Sequence, residues 1–129
     1  MKEKIETHQQ RKIFSNVLND NGFLFGGEAL KWMDEVAYLT ASQLTSQKLV
    51  TVSVEKVKFI CQIPPGSEVD VVGRYGKHSF VKLFIEVNIY VKNKNTNSWE
   101  SAIEGTFIMA AIDDKNKPQT LNFLDNLSL

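Results

Sequence analysis

The stretch that decides the fold is NDNGFLFGGEALKWMDEVAYLTASQ, which spans residues 19–43. It begins with asparagine and glycine, which form turns because they tolerate backbone angles that other residues avoid. From Gly26 onward, apolar residues recur at the spacing of a helix, and no proline interrupts them. At about 100° per residue, these positions share one broad arc. The stretch therefore predicts a polar turn and then a long amphipathic helix that ends near Ser42.

Asp34 is out of place on this predicted helix. It falls at the edge of the apolar arc, about 20° from Ala41 and about 40° from Leu30. The other charged residues of the helix lie on the opposite side. Two interpretations of the carboxylate remain open at this point. It either pairs with a neighbour such as Lys31 or Tyr38, or it has a chemical role.

Length and composition predict a single domain whose main partner is neither nucleic acid nor an anionic membrane. A chain of 129 residues with 43% hydrophobic residues suits one domain with a substantial core. Its 15 basic and 15 acidic side chains balance, so nothing predicts binding to nucleic acid or to an anionic membrane. The polar N-terminus lacks an apolar signal core, and no apolar run approaches the roughly 20 residues of a membrane span.

The cysteine and histidine content predicts neither a disulfide nor a metal centre. Cys61 is the only cysteine, and a free thiol fits a reducing compartment. His8 and His78 have no partner at metal-ligand spacing. We therefore expect a cytoplasmic protein that needs no metal or other cofactor. The chain also lacks the Gly-x-Ser-x-Gly motif of serine hydrolases.

The chain after the helix is predicted to form strands, because its apolar residues change to a period of two. Val50, Val52 and Val54 alternate with polar residues, which predicts a strand with one buried face. A slip in phase at Glu55 and Lys56 predicts a β-bulge or a bend. Further strands are predicted at about 69–75, 81–92 and 99–112, with a turn at 76–79 and a hairpin loop at 93–98.

The two ends of the chain are predicted to contribute little to the domain. Residues 1–10 read as a frayed start, residues 13–18 as a short strand and residues 114–129 as a tail without a clear period. The domain spans residues 1–129, with its core at about 11–113. One long helix followed by antiparallel strands is accommodated most economically by a sheet that curls around the helix. The predicted class is therefore α+β.

Three segments resemble the acyl-CoA thioesterases of the hotdog-fold superfamily, in the branch of the cytosolic acyl-CoA hydrolases. They are Asn-x-Asn-Gly-x-x-Phe-Gly-Gly at 19–27, Trp-Met-Asp-Glu-Val-Ala at 32–37 and the valine-rich strand at 49–59. The resemblance implies the hotdog fold, in which an antiparallel sheet wraps around one long central helix. It also implies hydrolysis of acyl-CoA to a free acid and coenzyme A.

The resemblance also implies which residues form the site. Asp34 and Asn19 match the catalytic pair of the family, and Asp34 acts there as a base towards water or as a nucleophile. The helix N-terminus at Gly26 and Gly27 has unpaired N–H groups that suit the thioester carbonyl. One turn reads Gly-Arg-Thr/Ser-Ser in the family, whereas residues 76–79 of this chain read Gly-Lys-His-Ser. The residues expected to bind the substrate and its coenzyme A moiety are Asn21, Phe25, Thr51, Lys77, His78 and Ser79.

A site made of these residues needs two chains. Gly26 and Asp34 are eight residues apart on one helix, which is about 12 Å along its axis. An aspartate side chain is too short to close that distance. We therefore expect a homodimer whose sites combine Asp34 of one copy with Gly26 and Asn19 of the other, or a higher assembly of such dimers. The family resemblance implies the same assembly.

The main alternative to an enzyme is a hotdog domain that binds or senses acyl-CoA without hydrolysing it. The presence of both Asp34 and Asn19 favours the enzyme. The residues themselves also admit simpler explanations. Asn-x-Asn-Gly before a helix is ordinary turn chemistry, and basic residues on turns are usually only solvated.

Overall fold

The computed structural model describes residues 5–125 and 127. In chain order, its strands are β1 (Glu6–Lys12), β2 (Lys48–Phe59), β3 (Glu68–His78), β4 (Lys82–Lys92) and β5 (Trp99–Ile112). The long helix α1 (Gly26–Ala41) lies between β1 and β2, and a short 3-10 helix (Ser15–Val17) precedes it. Across this described part of the chain, no helix is long and apolar enough to span a membrane.

The five strands form one antiparallel sheet in the order β1-β3-β4-β5-β2. The sheet packs around α1, whose apolar arc is buried as the helical period predicts. Strand β4 lies at the centre, with alternate residues Leu83, Ile85, Val87 and Ile89 fully buried. The predicted α+β architecture and the single long helix from Gly26 are confirmed.

The start of the chain differs from the prediction. A frayed start at residues 1–10 is wrong for its described part, because β1 pairs with β3 from Glu6 opposite Arg74 to Lys12 opposite Glu68. The predicted core boundary near residue 11 therefore falls inside a strand, while residues 1–4 lie outside the described residues. The strand predicted at 13–18 is also wrong, since a 3-10 helix occupies its middle.

Strand β2 is an edge strand, and this overturns the predicted burial of its valines. It pairs only with β5, so Val52 and Val54 remain about half exposed, at 50% and 43%. It is also not a neighbour of β3, although the connection between them is short. The predicted bulge is confirmed, because the register shifts between Glu55 and Lys58, and Lys56 has a φ of 54°.

The turn predicted at 76–79 begins later. Residues 76–78 belong to β3, because a bulge between Tyr75 and Lys77 lets pairing with β4 continue to His78. The reversal follows at Ser79, whose hydroxyl accepts hydrogen bonds from the N–H groups of Val81 and Lys82. The other hairpin agrees with the prediction, with β5 at 99–112 and its loop at 93–98.

A close contact with β3 and hydrogen bonds from the tail hold α1 in place. Gly73 lets the helix approach, since a Cβ there would lie 2.9 Å from Val36 Cγ1 and 3.3 Å from the Val36 carbonyl oxygen. Just beyond the C-terminus of the helix, the tail bonds both to the turn between β3 and β4 and to the segment that follows α1. The N–H of Leu121 donates to the Phe80 carbonyl, and the N–H of Leu124 donates to the Leu44 carbonyl.

Candidate active site

The carboxylate of Asp34 is held by a residue from a different element. The hydroxyl of Thr51 on β2 donates a hydrogen bond to Asp34 Oδ1 at 2.7 Å. Lys31, one of the neighbours considered from the sequence, lies instead 3.9 Å from Glu28. The structure thus brings together two of the predicted site residues, Asp34 and Thr51, at an exposed position between α1 and β2.

The side chain of Asn19 shapes the turn that precedes the helix. Its Oδ1 accepts hydrogen bonds from the N–H groups of Asn21 at 2.9 Å and Phe23 at 3.1 Å. Gly22 allows the reversal with a φ of 84°. Because Oδ1 faces two donors, Nδ2 faces away from the turn, and no group within residues 5–125 and 127 accepts a bond from it. The turn therefore orients an amide that can donate to a ligand.

The first turn of α1 offers backbone donors. Its N-cap residue, Phe25, makes no side-chain capping bond, so the N–H groups of Gly26 and Gly27 keep the open positions of a helix start. The helix dipole favours negative charge at this end. A Cβ on Gly26 would lie 3.4 Å from the ring of Phe59, so glycine keeps the backbone accessible beside an aromatic side chain.

A single chain presents these two groups at separate places. Gly26 lies beside Phe59 and Asp34 beside Thr51, so the two positions are eight residues apart on both α1 and β2. On the helix that separation is about 12 Å. Asn19 likewise bonds within its own turn, whereas Asp34 bonds to Thr51, so among the described residues no hydrogen bond joins the predicted catalytic pair.

Lys77, His78 and Ser79 form a third group near the same end of the sheet as Asp34. His78 pairs with Leu83, Leu83 pairs with Met109, and Met109 pairs with Thr51. His78 and Thr51 are therefore three strand spacings apart, or about 14 Å. Ser79 is used by the turn, and Lys77 Nζ lies 4.8 Å from the centre of the Phe84 ring. The structure does not place this group in contact with Asp34.

The tail completes a cleft beside His78. The Tyr75 hydroxyl and His78 Nδ1 share a hydrogen bond of 2.7 Å, and burial raises the pKa of Tyr75. Phe123 packs edge-on against His78 at 4.6 Å. With Phe80 and Leu121, these side chains enclose a cleft of about 460 Å³, which sequence reasoning missed because it depends on the tail.

A second cavity opens directly beside Asp34. It measures about 430 Å³ and lies between α1 and strands β2 and β5. Sequence reasoning missed this groove as well. The only available signal was two large apolar residues at exposed helix positions, Tyr38 and Leu39. In the described part of the chain, no cluster of three histidine, cysteine, aspartate or glutamate side chains could hold a metal ion.

Comparison with known proteins agrees with this architecture. Acyl-CoA thioester hydrolase YciA of Salmonella typhimurium is 29% identical over 106 residues, which cover 80% of each chain. The hexameric thioesterase of Yersinia pestis superposes with a TM-score of 0.80 at 26% identity, covering 94% of this chain and 96% of that one. An acyl-CoA hydrolase of Staphylococcus aureus superposes with a TM-score of 0.85 at 23% identity, covering 93% and 73%.

The match to a protein family covers more than half of the chain. The sequence model of the Thioesterase superfamily matches residues 21–97, from the glycine turn through α1 to the loop after β4. These residues include Asp34, Thr51 and the start of the helix. The chain therefore belongs to the Thioesterase superfamily, and its antiparallel sheet around one long helix is the hotdog fold.

Proposed function

We propose that this protein is an acyl-CoA thioesterase that hydrolyses the thioester to a free carboxylic acid and coenzyme A. The observation that carries the proposal is the Asp34 carboxylate, oriented by Thr51 at the edge of a largely apolar groove. The names of the relatives support it, since YciA of S. typhimurium is an acyl-CoA thioester hydrolase. The S. aureus hydrolase has been solved with butyryl coenzyme A and coenzyme A.

The spacing of three polar residues supports the assignment of the site. The S. aureus hydrolase has been solved as variants in which an asparagine, an aspartate or a threonine is replaced by alanine. In that chain the aspartate follows the asparagine by 15 positions, and the threonine follows the aspartate by 17. Asn19, Asp34 and Thr51 have the same two separations. We therefore assign these three residues to the reaction.

The chemistry can follow either of two routes from Asp34. As a base, the carboxylate takes a proton from water while the water oxygen bonds to the carbonyl carbon. As a nucleophile, it bonds to that carbon itself and water cleaves the anhydride. In both, the C–S bond breaks and coenzyme A leaves as the thiol after protonation. The N–H groups at Gly26 and Gly27 stabilise the oxyanion, and Asn19 Nδ2 orients the carbonyl or the water.

The free edge of β2 supports a homodimer with composite sites. Exposed apolar side chains line this region, with Phe59 54% and Val52 50% exposed, and an unpaired strand edge readily binds another strand. A two-fold axis near residue 55 would pair Thr51 with the partner subunit's Phe59. Because Asp34 bonds Thr51 and Gly26 lies beside Phe59, this pairing brings Asp34 to the partner subunit's Gly26.

Two such sites would form in each dimer. The hexameric state of the Y. pestis relative supports self-association of this fold and allows a higher assembly of dimers. Lys77, His78, Ser79, Asn21 and Phe25 remain our candidates for contacts to coenzyme A. Lys77 and His78 end β3 and Ser79 begins the turn after it, while Asn21 and Phe25 lie between the 3-10 helix and α1.

We also propose that the reaction needs no metal or other cofactor. A thioester is an activated carbonyl, and a carboxylate with backbone and amide donors supplies what its hydrolysis requires. The single thiol of Cys61 is exposed and unpaired with another cysteine, which fits a reducing, cytoplasmic location.

Release of thiol from a panel of acyl-CoA substrates tests the proposed function. The purified protein should release coenzyme A from at least one acyl-CoA, and the rate should not change after treatment with a chelator. A protein that binds acyl-CoA tightly but hydrolyses none of the panel would be the sensor rather than the enzyme. Activity that is lost on chelation and restored by a divalent ion would contradict the metal-free mechanism.

A further inference from the structure

We infer that the groove beside Asp34 holds the acyl chain and that Tyr38 and Leu39 set the chain length that the enzyme prefers. The inference rests on the proposed thioesterase activity. It gives a role to two residues of α1 that the chemistry at the carbonyl does not use. The substrate class that follows is linear acyl-CoA of short to medium chain length.

The side chains that line the groove are polar at one end and mostly apolar elsewhere. Asp34 and Thr51 line one part, where they share a hydrogen bond of 2.7 Å. Leu49 and Met109, both buried, come from β2 and β5. Glu35 is exposed and also lines the cavity. An acyl-CoA whose carbonyl lies at Asp34 would therefore find apolar side chains where its alkyl chain begins.

Tyr38 and Leu39 form the helical side of this groove. They follow Asp34 by four and five residues, so they lie about one helical turn further along α1. Tyr38 is 49% exposed and Leu39 is 46% exposed, which leaves two large apolar surfaces uncovered next to a carboxylate. An alkyl chain is the occupant that matches both this apolar surface and its continuity with Asp34.

The length of the helical wall limits the chain that it can cover. From Asp34 to Leu39 the helix rises about 7.5 Å. Because a C–C bond is about 1.5 Å long and an extended chain advances slightly less per bond, this distance covers about six carbons. The volume of about 430 Å³ lies towards the lower end of the roughly 300–1,000 Å³ of small-molecule sites. Longer chains would extend beyond Leu39 without further contact.

The experiment is a chain-length series. We would measure kcat/KM for straight-chain acyl-CoA from acetyl to dodecanoyl with the wild-type protein and with Leu39→Trp and Leu39→Ala. For the wild type, kcat/KM should rise about fourfold per methylene group up to about hexanoyl or octanoyl and then level off. Leu39→Trp fills the groove, so the plateau should begin at a shorter chain. Leu39→Ala should weaken the preference for octanoyl over acetyl.

A matched control is Leu124→Ala. The exposed fraction of Leu124 is 42%, similar to the 46% of Leu39. Leu124 lies on the tail, however, and does not line the groove. This variant should keep the wild-type length profile. Leu124→Ala should also hydrolyse acetyl-CoA within about twofold of the wild type.

Two results would overturn the inference. One is a Leu39→Trp variant whose kcat/KM falls by the same factor for every chain length. The other is a change in oligomer mass for the Leu39 variants, measured by light scattering, which would make Leu39 an interface residue. If the wild-type protein hydrolyses no acyl-CoA at all, the proposed function itself fails, and that outcome is distinct from both.

Discussion

Asp34 and Thr51 are 17 positions apart in the sequence and share a hydrogen bond of 2.7 Å. The helical period alone identifies Asp34 as unusual, because it places a carboxylate at the edge of an apolar arc. It does not identify Thr51, because that contact depends on where β2 lies against α1. A hydroxyl that donates to one carboxylate oxygen fixes the direction of the other, which is the property that a base or nucleophile needs.

At this scale, Asp34→Asn separates catalysis from folding. The amide has nearly the same shape and can still accept a bond from Thr51, but it cannot act as a base or nucleophile. We expect kcat to fall by about 10²–10⁴, while the free energy of unfolding changes by less than about 0.5 kcal/mol because the site is exposed. Steady-state kinetics and urea unfolding measure the two. Asp114→Asn, at an exposed aspartate in the turn after β5, is the control. A kcat close to that of wild type would show that Asp34 is only a hydrogen-bonded surface acid.

At the scale of elements, the sequence predicts what depends on local pattern. The helix from Gly26, the alternation in β4 and the limits of β5 were all predictable, because each has a clear period. β1 was not, since its seven residues ETHQQRK are polar and the strand forms only by pairing with the edge of β3. β2 was placed correctly, but Val52 and Val54 are exposed on this strand at the edge of the sheet.

The contact between α1 and β3 predicts opposite effects for two glycine substitutions. Gly73→Ala places a Cβ 2.9 Å from Val36 Cγ1 and also against Thr40, so we expect a loss of about 1–3 kcal/mol in the free energy of unfolding. Gly27→Ala meets only Phe25, at 3.6 Å, and alanine favours the helix by up to about 1 kcal/mol. Denaturant unfolding measures both. Equal effects of the two substitutions would contradict the close approach of the helix at Gly73.

The pairing of β1 with β3 predicts a pH-dependent stability. His8 lies 3.0 Å from Glu6 and 2.8 Å from Asp70, while Arg74 also binds Glu6. Hydrogen bonds to Glu6 and then Asp70 raise the pKa of His8 above its ordinary 6.5. Because the pKa of His8 is higher in the folded than in the unfolded state, its ion pairs stabilise the protein fully when the pH is below the pKa of the unfolded state. This stabilisation is lost as the pH rises through the pKa of the folded state.

The corresponding measurement compares the wild type with His8→Gln. The wild type should exceed the variant in free energy of unfolding by more at about pH 5.5 than at about pH 9. Because the side chain is 48% exposed, solvent screening limits the difference to about 0.2–1 kcal/mol. A difference that is the same at both pH values would mean that His8 contributes no charge-dependent stability to the β1 edge.

For the whole molecule, the arrangement of two separated half-sites is the main consequence of the fold. The carboxylate lies beside Thr51 and the helix start lies beside Phe59, at opposite parts of the same edge strand. In the dimer that we propose, two-fold pairing of that edge would bring the half-site of one copy to the complementary half-site of the other. The separation of Gly26 and Asp34 along the helix predicts the two half-sites from the sequence. The position of β2 at the edge of the sheet follows only from the strand order of the structure.

The most direct test of this account mixes two inactive variants, Asp34→Ala and Asn19→Ala, under conditions that exchange subunits. In a mixed dimer, one composite site carries both substitutions and the other carries neither. Random equal mixing makes half of the dimers mixed with one intact site each, so activity should return to about a quarter of wild type. Mass spectrometry of isotope-labelled chains confirms that exchange has occurred. If subunits exchange and no activity returns, the site lies within one chain and the composite arrangement is wrong.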